Sequence, residues 1–343
     1  MTDQQSKRSF ERYPYAGLAV DPIHVGTGGA RLGRVDNTIV RDPATKLPKI
    51  PGSSLAGVLR TYVAMAEENG RDESKRPRPY YPDCAGQGQK REGESGGHCG
   101  QRDCPVCAVF GFARGKDTSG GFAGLAAFSD MHLLLFPVAT REGPVWVTSP
   151  GALRLVGIEQ SIEDEDRIYR KNGKGRTLNL GWLILERDTL ENCLENELAK
   201  IGIPDYILDH VAVVSDKLLS YVVNSNLEVR TSVAIDASTG AAEDRALFTY
   251  EAVPRTSVLC WDVICRFPGH FRIGKSSNED ENKIKAVKTP DDVRDIVRNG
   301  HAYLEALGIG GMGTRGMGRL RVLETPNGAP AEEASATVEG AEA

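Results

Sequence analysis

Four cysteines lie close together in the chain at spacings that suit a metal ion. Cys99 is followed after four residues by Cys104, and Cys104 is followed after two by Cys107. Either Cys84 or His98 supplies the fourth ligand, and the spacing does not decide between them. Four thiolate or imidazole ligands leave no open coordination position, so the pattern predicts a structural zinc site. The alternative is a set of free thiols in a reducing compartment.

Residues 22–60 hold a second group of residues that could do chemistry. They contain His24, expected to be exposed, then a Gly-rich loop and Asp36. Each residue alone has a simpler interpretation, because a single His is more often structural and an Asp in a loop most often forms a turn. Together in a loop whose glycines admit close approach of a ligand, they suit phosphodiester chemistry. Asp36 would then act as a metal ligand or proton acceptor.

A second Gly-rich loop lies near the end of the chain, over residues 308–318. It contains Arg315 and is followed by Arg319, but it lacks the Lys-Ser/Thr ending of a nucleotide-binding P-loop. It also follows a predicted helix and precedes a predicted strand, which is the reverse of the P-loop order. A cradle of backbone amides for phosphate, reinforced by arginine, fits this composition, and a flexible connector is the alternative.

The elements that must position these residues are a mixture of strands and helices. A helix is expected to begin at Ser53 or Ser54, either of which would cap it, and to end near Gly70. Further helices are expected over 152–162, 189–200 and 290–307, and strands over 12–25, 124–139 and 261–267. Strands that follow one another closely favour an α+β fold over a doubly wound parallel sheet.

Three segments differ from the rest of the chain. Residues 71–122 are polar and almost without periodicity, which is typical of an insertion, and they carry the four clustered cysteines. Residues 228–257 alternate like two strands of a long β-hairpin. Residues 326–343 form an acidic tail that is expected to be disordered, as is a leader over 1–12.

The composition is that of a globular protein, with 40% hydrophobic and 26% charged residues among 343. The net charge of −5 is concentrated in the acidic tail, so the body is close to neutral and can hold basic patches for nucleic acid. The sequence shows neither an apolar run long enough to span a membrane nor a secretory signal. We therefore expect no membrane partner and a cytoplasmic location.

Several motifs in the same order resemble one protein family. The run from Pro22 to Arg60, PIHVGTGGARLGRVDNTIVRDPATKLPKIPGSSLAGVLR, is similar to the N-terminal signature of the RAMP superfamily of CRISPR proteins. The stretches FSDMHLLLFPVA, VVSDKLLSYVV and EVRTSVAIDASTG and the closing Gly-rich loop resemble one branch of it, the repeated backbone subunit of the type III-B (Cmr) effector complex. The resemblance covers about residues 13–325.

This resemblance implies a modified ferredoxin-like, RRM-related fold with insertions and a β-hairpin thumb at 228–257. Copies would stack along a CRISPR RNA together with other Cmr subunits, and the guide would read target RNA by base pairing. The implied activity is a metal-dependent endoribonuclease that uses Mg or Mn and cuts target RNA beside each thumb, about every six nucleotides. The 2′-hydroxyl of the RNA is the implied nucleophile.

The resemblance also implies roles for individual residues. Asp36 matches the catalytic Asp of the family, His24 its loop His, and Glu251 a position at the base of the thumb. The residues expected to hold the phosphates of the guide are Gly52, Ser53, Ser54, Arg60, Gly308, Gly310, Gly311, Arg315, Gly316 and Gly318. Ala56 departs from the family pattern, which has Lys there. One phosphate contact is therefore lost, and Arg60 and the second Gly-rich loop are expected to supply more of the contacts with the guide.

Two other functions stay open at this point. In the first, the chain is a structural guide-RNA-binding subunit in which Asp36 only forms a turn. In the second, it is a monomeric nuclease that processes CRISPR precursor RNA and needs no thumb.

Overall fold

A computed structural model describes residues 9–28, 35–72, 74, 78–86, 97–113, 120–171, 176–190, 194–242, 247–274 and 279–323. These residues form thirteen strands and eight α-helices. In chain order they are β1 (Phe10–Ala19), β2 (Lys49–Ile50), α1 (Gly52–Asn69), α2 (Pro105–Phe110), β3 (Ala126–Phe128), β4 (Met131–Thr140), β5 (Gly143–Thr148), α3 (Pro150–Arg154), β6 (Arg167–Tyr169), β7 (Thr177–Leu180), β8 (Leu183–Asp188), α4 (Leu194–Lys200), α5 (Asp205–Leu208), β9 (Val211–Val213), α6 (Asp216–Ser225), β10 (Glu228–Ser232), β11 (Phe248–Ala252), β12 (Val258–Arg266), α7 (Pro290–Arg298), α8 (His301–Leu307) and β13 (Leu320–Leu323).

Four strands and the helices between them form a ferredoxin-like core. The strands lie in the order β13-β1-β12-β4, and each pair is antiparallel. Helix α1 follows β1, and α7 and α8 lie between β12 and β13, which gives the β-α-β-β-α-β order of this motif. The predicted α+β, modified ferredoxin-like fold is therefore confirmed.

The rest of the large sheet extends this core beyond β4. Strands β5, β9, β6, β8 and β7 continue it in that order, with parallel pairing in β5–β9 and β6–β8. Two short strands attach at its side, β2 on β4 and β3 on β12. Helices α4 and α5 bury Leu198 and Ile207 in a second apolar cluster, which covers one face of this extension.

Helix α1 packs by the face that its sequence predicts. Leu55, Leu59, Tyr62 and Val63 are buried, and Gly70 follows the last helical residue. The expected serine cap is wrong: Pro51 is the N-cap residue, without a side-chain hydrogen bond. The carboxylate of Asp130 instead accepts the Gly52 N–H at 2.8 Å, so an acidic group from another element caps the helix.

Several predicted boundaries differ from those observed. The helix expected over 152–162 is the short α3, and the single helix expected over 290–307 is interrupted at Asn299 and Gly300 to form α7 and α8. Residues 10–12 of the expected leader belong to β1. Ser9 is also described, whereas residues 1–8 of the leader and the acidic tail lie outside the described residues. Within the part of the chain that the structure describes, no helix is both long and apolar enough to cross a membrane.

The expected hairpin is present and stands apart from the large sheet. Strands β10 and β11 form a separate two-stranded antiparallel sheet in which Thr231 lies opposite Thr249. A further bridge joins Ile235 to Ala242 nearer the tip. Three apolar side chains towards the tip, Val233, Ile235 and Leu247, are exposed.

Candidate functional site

The base of the hairpin holds the Asp36 side chain. The backbone N–H and the hydroxyl of Thr249 both donate to Asp36 Oδ2, at 2.7 and 2.9 Å. Asp36 is nonetheless exposed. The N–H of Thr249, followed by its hydroxyl, lowers the pKa of the Asp36 carboxyl, because both bonds favour the ionised form. Asp36 is therefore an exposed, fixed carboxylate.

His24 contacts β11, the strand that carries Thr249, but its side chain is buried. The expectation of an exposed His24 is therefore wrong. Only 7% of its surface is exposed, because the ring of Tyr250 packs edge-on against it at 5.9 Å between centroids. Its Nδ1 lies 2.6 Å from the carbonyl oxygen of Glu251. Since a carbonyl only accepts, Nδ1 carries the proton, and in the neutral ring Nε2 is the acceptor.

Glu251 is tied into a structural network. Its Oε2 accepts from Arg41 at 2.8 Å and from the N–H of Ile39 at 3.4 Å. Arg41 also donates to Asn224 of α6 at 2.8 Å. The carboxylate thus links β11 to the segment that carries Asp36. This geometry favours a supporting role over the catalytic role implied by the resemblance.

The second Gly-rich loop packs against the first loop. Gly311 N–H donates to the His24 carbonyl at 2.8 Å, and Gly318 N–H donates to the Pro22 carbonyl at 2.9 Å. Gly310 has φ +91°, and a Cβ there would lie 2.4 Å from the His24 carbonyl oxygen. Tyr62 of α1 donates to the Gly308 carbonyl at 2.6 Å. The loop is therefore locked between α1 and the His24 segment.

These contacts change the expected phosphate cradle. The N–H groups of Gly308, Gly311, Gly316 and Gly318 already donate to carbonyl oxygens of the protein, so they are not available to a phosphate. Arg315 is exposed, donates to Ser232 at 3.2 Å, and lies over the Phe248 ring. Arg315 is thus the member of this loop whose charge faces solvent beside the hairpin.

The other expected RNA contacts differ among themselves. Ser53 is exposed and Ser54 half-buried at the start of α1, whereas Gly52 is buried against the Phe128 carbonyl. Arg60 was expected to hold a phosphate of the guide, but its guanidinium is bound to the insertion. Its guanidinium donates to the carbonyls of Cys84 and Gly111 at 2.7 and 2.8 Å, and burial lowers its pKa. This geometry favours a role in holding the insertion on α1 over the predicted contact with the guide.

The four clustered cysteines converge in the part of the insertion that the structure describes. Cys84, Cys99, Cys104 and Cys107 are buried, and their sulfurs all lie within 4.8 Å of one another. Cys99 Sγ and Cys107 Sγ are 3.6 Å apart, and Cys104 Sγ and Cys84 Sγ are 3.9 Å apart. Tetrahedral bonds of about 2.3 Å to zinc separate sulfurs by about 3.8 Å, so the geometry fits a Cys₄ centre.

His98 lies next to this cluster but is not part of the group. Its Nδ1 lies 2.8 Å from the Arg60 guanidinium, and burial lowers its pKa to about 4. Of the two fourth ligands left open by the spacing, the geometry thus favours Cys84. The cationic Arg60 guanidinium, which contacts His98 and the Cys84 carbonyl, would offset part of the thiolate charge when a metal is bound.

Thr249, Arg41 and Asn224 were missed by the sequence analysis. A signal for Thr249 was present, because strand alternation places it on the same face of β11 as Glu251. Arg41 and Asn224 had no such signal, since they meet Glu251 only through the tertiary fold.

Residues 18–321 match the RAMP superfamily. The CRISPR system Cmr endoribonuclease Cmr4 of Pyrococcus furiosus is 25% identical over 335 residues, covering 88% of this chain and 91% of that protein. The CRISPR system Cms endoribonuclease Csm3 of Methanothermobacter thermautotrophicus is 30% identical over 101 residues, covering 29% of this chain and 32% of that protein.

Solved structures share the fold. A chain of a type III-B Cmr-beta assembly in the apo state has a TM-score of 0.55 and 19% identity, covering 91% of this chain and 96% of its own. The crystal structure of oligomeric Cmr4 from Pyrococcus furiosus has a TM-score of 0.52 and 18% identity, covering 92% and 98%.

Proposed function

Because the chain belongs to the RAMP superfamily, we propose that it is the backbone subunit of a type III-B CRISPR ribonucleoprotein. In this role it binds CRISPR RNA, stacks with further copies of itself and other Cmr subunits, and cuts complementary target RNA about every six nucleotides. The Pyrococcus relative, named as an endoribonuclease, supports this proposal because it aligns along nearly the whole chain. A cytoplasmic location follows from such a role.

The observation that carries the proposal is the exposed Asp36 carboxylate fixed at the base of a protruding hairpin. The hairpin separates bases of the paired RNA and leaves a distorted target phosphate beside Asp36. The 2′-hydroxyl oxygen of the target then bonds to phosphorus, and the bond from phosphorus to the 5′-oxygen breaks. Asp36 accepts the 2′-hydroxyl proton or orients that hydroxyl, and the departing 5′-oxygen takes up a proton from water.

A divalent cation, Mg or Mn, would take Asp36 as its one ligand from the described residues, with RNA phosphate oxygens and water as the others. Hydrogen bonds to the Asp36 side chain from the described residues all end on Oδ2, which leaves Oδ1 as a carboxylate ligand of the kind these ions prefer. When bound, the ion would stabilise negative charge on the phosphate.

Cleavage of target RNA by the assembled complex tests the proposal. With Mg²⁺ and complementary RNA, we expect cuts at regular spacing of about six nucleotides. Asp36→Asn keeps the size of the side chain but not its charge, and it should abolish cutting while target binding persists. Asp209→Asn, at an exposed position in the turn between α5 and β9, is the control. Unchanged cuts in Asp36→Asn would instead favour a structural guide-binding subunit.

We also propose that the four cysteines hold a structural zinc ion. Elemental analysis of the purified subunit should give about one zinc per chain, and Cys104→Ser should lose it. Cys260→Ala, which alters a buried cysteine of β12 away from the cluster, should keep it. Zinc near zero in the wild-type protein would remove the proposal.

A further inference from the structure

Thr249 is the principal contact of the Asp36 side chain. Besides the two hydrogen bonds that it donates to Asp36 Oδ2, its hydroxyl oxygen lies 3.1 Å from the backbone N–H of Asp36, which donates to it. The two residues are 213 positions apart in the chain. The carboxylate is thus oriented by a residue of the hairpin and not by its own loop.

The hairpin strand that carries Thr249 is itself held firmly. On the opposite face of β11, Tyr250 and Ala252 are buried against Met317 of the second Gly-rich loop. On the near side, the N–H of Asn37 donates to the Thr249 carbonyl at 3.0 Å, and Glu251 N–H donates to the Asn37 carbonyl at 3.1 Å. Thr249 therefore has one position relative to the Asp36 segment.

Resting on the proposed role of Asp36, we propose that Thr249 is a positioning residue for target cleavage. By holding Oδ2, it stops rotation of the carboxylate and presents Oδ1 to the RNA. Because Thr249 belongs to the hairpin, the same element that distorts the target also sets the orientation of the cleaving group. Cleavage is thereby made conditional on a correctly seated hairpin.

The electrostatic surroundings agree with this assignment. The charged groups nearest in the network, Arg41 and Glu251, pair with each other at 2.8 Å. The causes that lower the pKa of Asp36 are hydrogen bonds from Thr249 and from the Asp36 backbone, without a charged neighbour. Among the residues that the structure describes, Thr249 thus has the largest effect on the pKa of Asp36.

Two substitutions separate positioning from simple support. Thr249→Val removes the hydroxyl but keeps the branched shape and the backbone N–H, whereas Thr249→Ser keeps the hydroxyl. In the assembled complex, we expect Thr249→Val to slow single-turnover cleavage about ten-fold, since a hydrogen bond to a charged group is lost. Its affinity for target RNA should equal that of wild type, and Thr249→Ser should restore most of the rate.

One further variant completes the test. Thr231→Val removes the same group from the facing residue of the hairpin, and it should not reproduce the separation of rate from affinity. A Thr249→Val complex that cleaves at the wild-type rate, or that loses binding and rate together, would overturn the positioning role. Cutting that survives Asp36→Asn would instead overturn the proposed function itself.

Discussion

At the scale of single residues, three polar groups near the hairpin base do different work. Asp36 is exposed and fixed, His24 is buried under Tyr250, and the Glu251 carboxylate is occupied by Arg41. The sequence motif brought Asp36 and His24 to attention, but it could not show that His24 is covered. That covering ring comes from a strand more than two hundred residues away, so no local pattern carries the information.

Glu251 and Arg41 are expected to act as a pair. Glu251→Gln leaves Arg41 with a neutral partner in a half-buried site, so we expect the free energy of unfolding to fall by about 1–3 kcal/mol. Arg41→Gln should cost a similar amount, and the double variant should cost less than the sum. Urea unfolding of the subunit measures this coupling. A Glu251→Gln protein of full stability that cannot cleave would mean that Glu251 acts on the RNA directly.

At the scale of elements, α1 was predictable because its apolar residues recur on one face. The break between α7 and α8 was harder to predict from the sequence. Gly300 lies against Leu59 and Val63 of α1, and this close packing leaves little room for a side chain at that position. The role of Arg60 was not readable at all. Its acceptors are backbone carbonyls of the insertion, and backbone groups leave no trace in residue type.

The second Gly-rich loop offers a matched pair of substitutions. Gly310 and Gly316 both have positive φ, but a Cβ would meet the His24 carbonyl at Gly310 and nothing within 4 Å at Gly316. Gly316→Ala should therefore cost about 1–2 kcal/mol of stability from its backbone conformation alone. Gly310→Ala should cost a further 1–3 kcal/mol, roughly, for the clash, and it should also disturb cleavage. Thermal unfolding and the cleavage assay measure both. Equal losses of stability in Gly310→Ala and Gly316→Ala would show that the loop can move to accommodate a Cβ at residue 310.

At the scale of the whole molecule, the distal part of the hairpin is separable from the body, whereas β11 is held by Asn37 and Met317. The hairpin forms its own two-stranded sheet, while the ferredoxin-like core is closed by pairings that do not include it. Its distal apolar residues are exposed, so they contribute little to the stability of the free subunit.

Replacing residues 233–247 by an Asn-Gly turn tests this separation, since Ser232 and Phe248 are paired and Thr249 is kept. We expect a folded subunit that binds guide RNA with wild-type affinity but cuts target RNA weakly and without regular spacing. A triple change of Val233, Ile235 and Leu247 to serine keeps the hairpin length and is the matched control for its apolar surface. Loss of guide binding in the shortened variant would place the hairpin in guide recognition instead.

The pairing of β1 has a consequence for how the protein is made. Its partners in the sheet are β12 and β13, which end at Arg266 and Leu323. A ribosome therefore synthesises most of the chain before the first strand can find either neighbour, and contacts so distant in sequence form slowly. Until then the apolar face of β1 and the loop that bears Asp36 lack their supports. A nascent chain released before Thr249 is made thus lacks the hydrogen bonds that fix the Asp36 carboxylate.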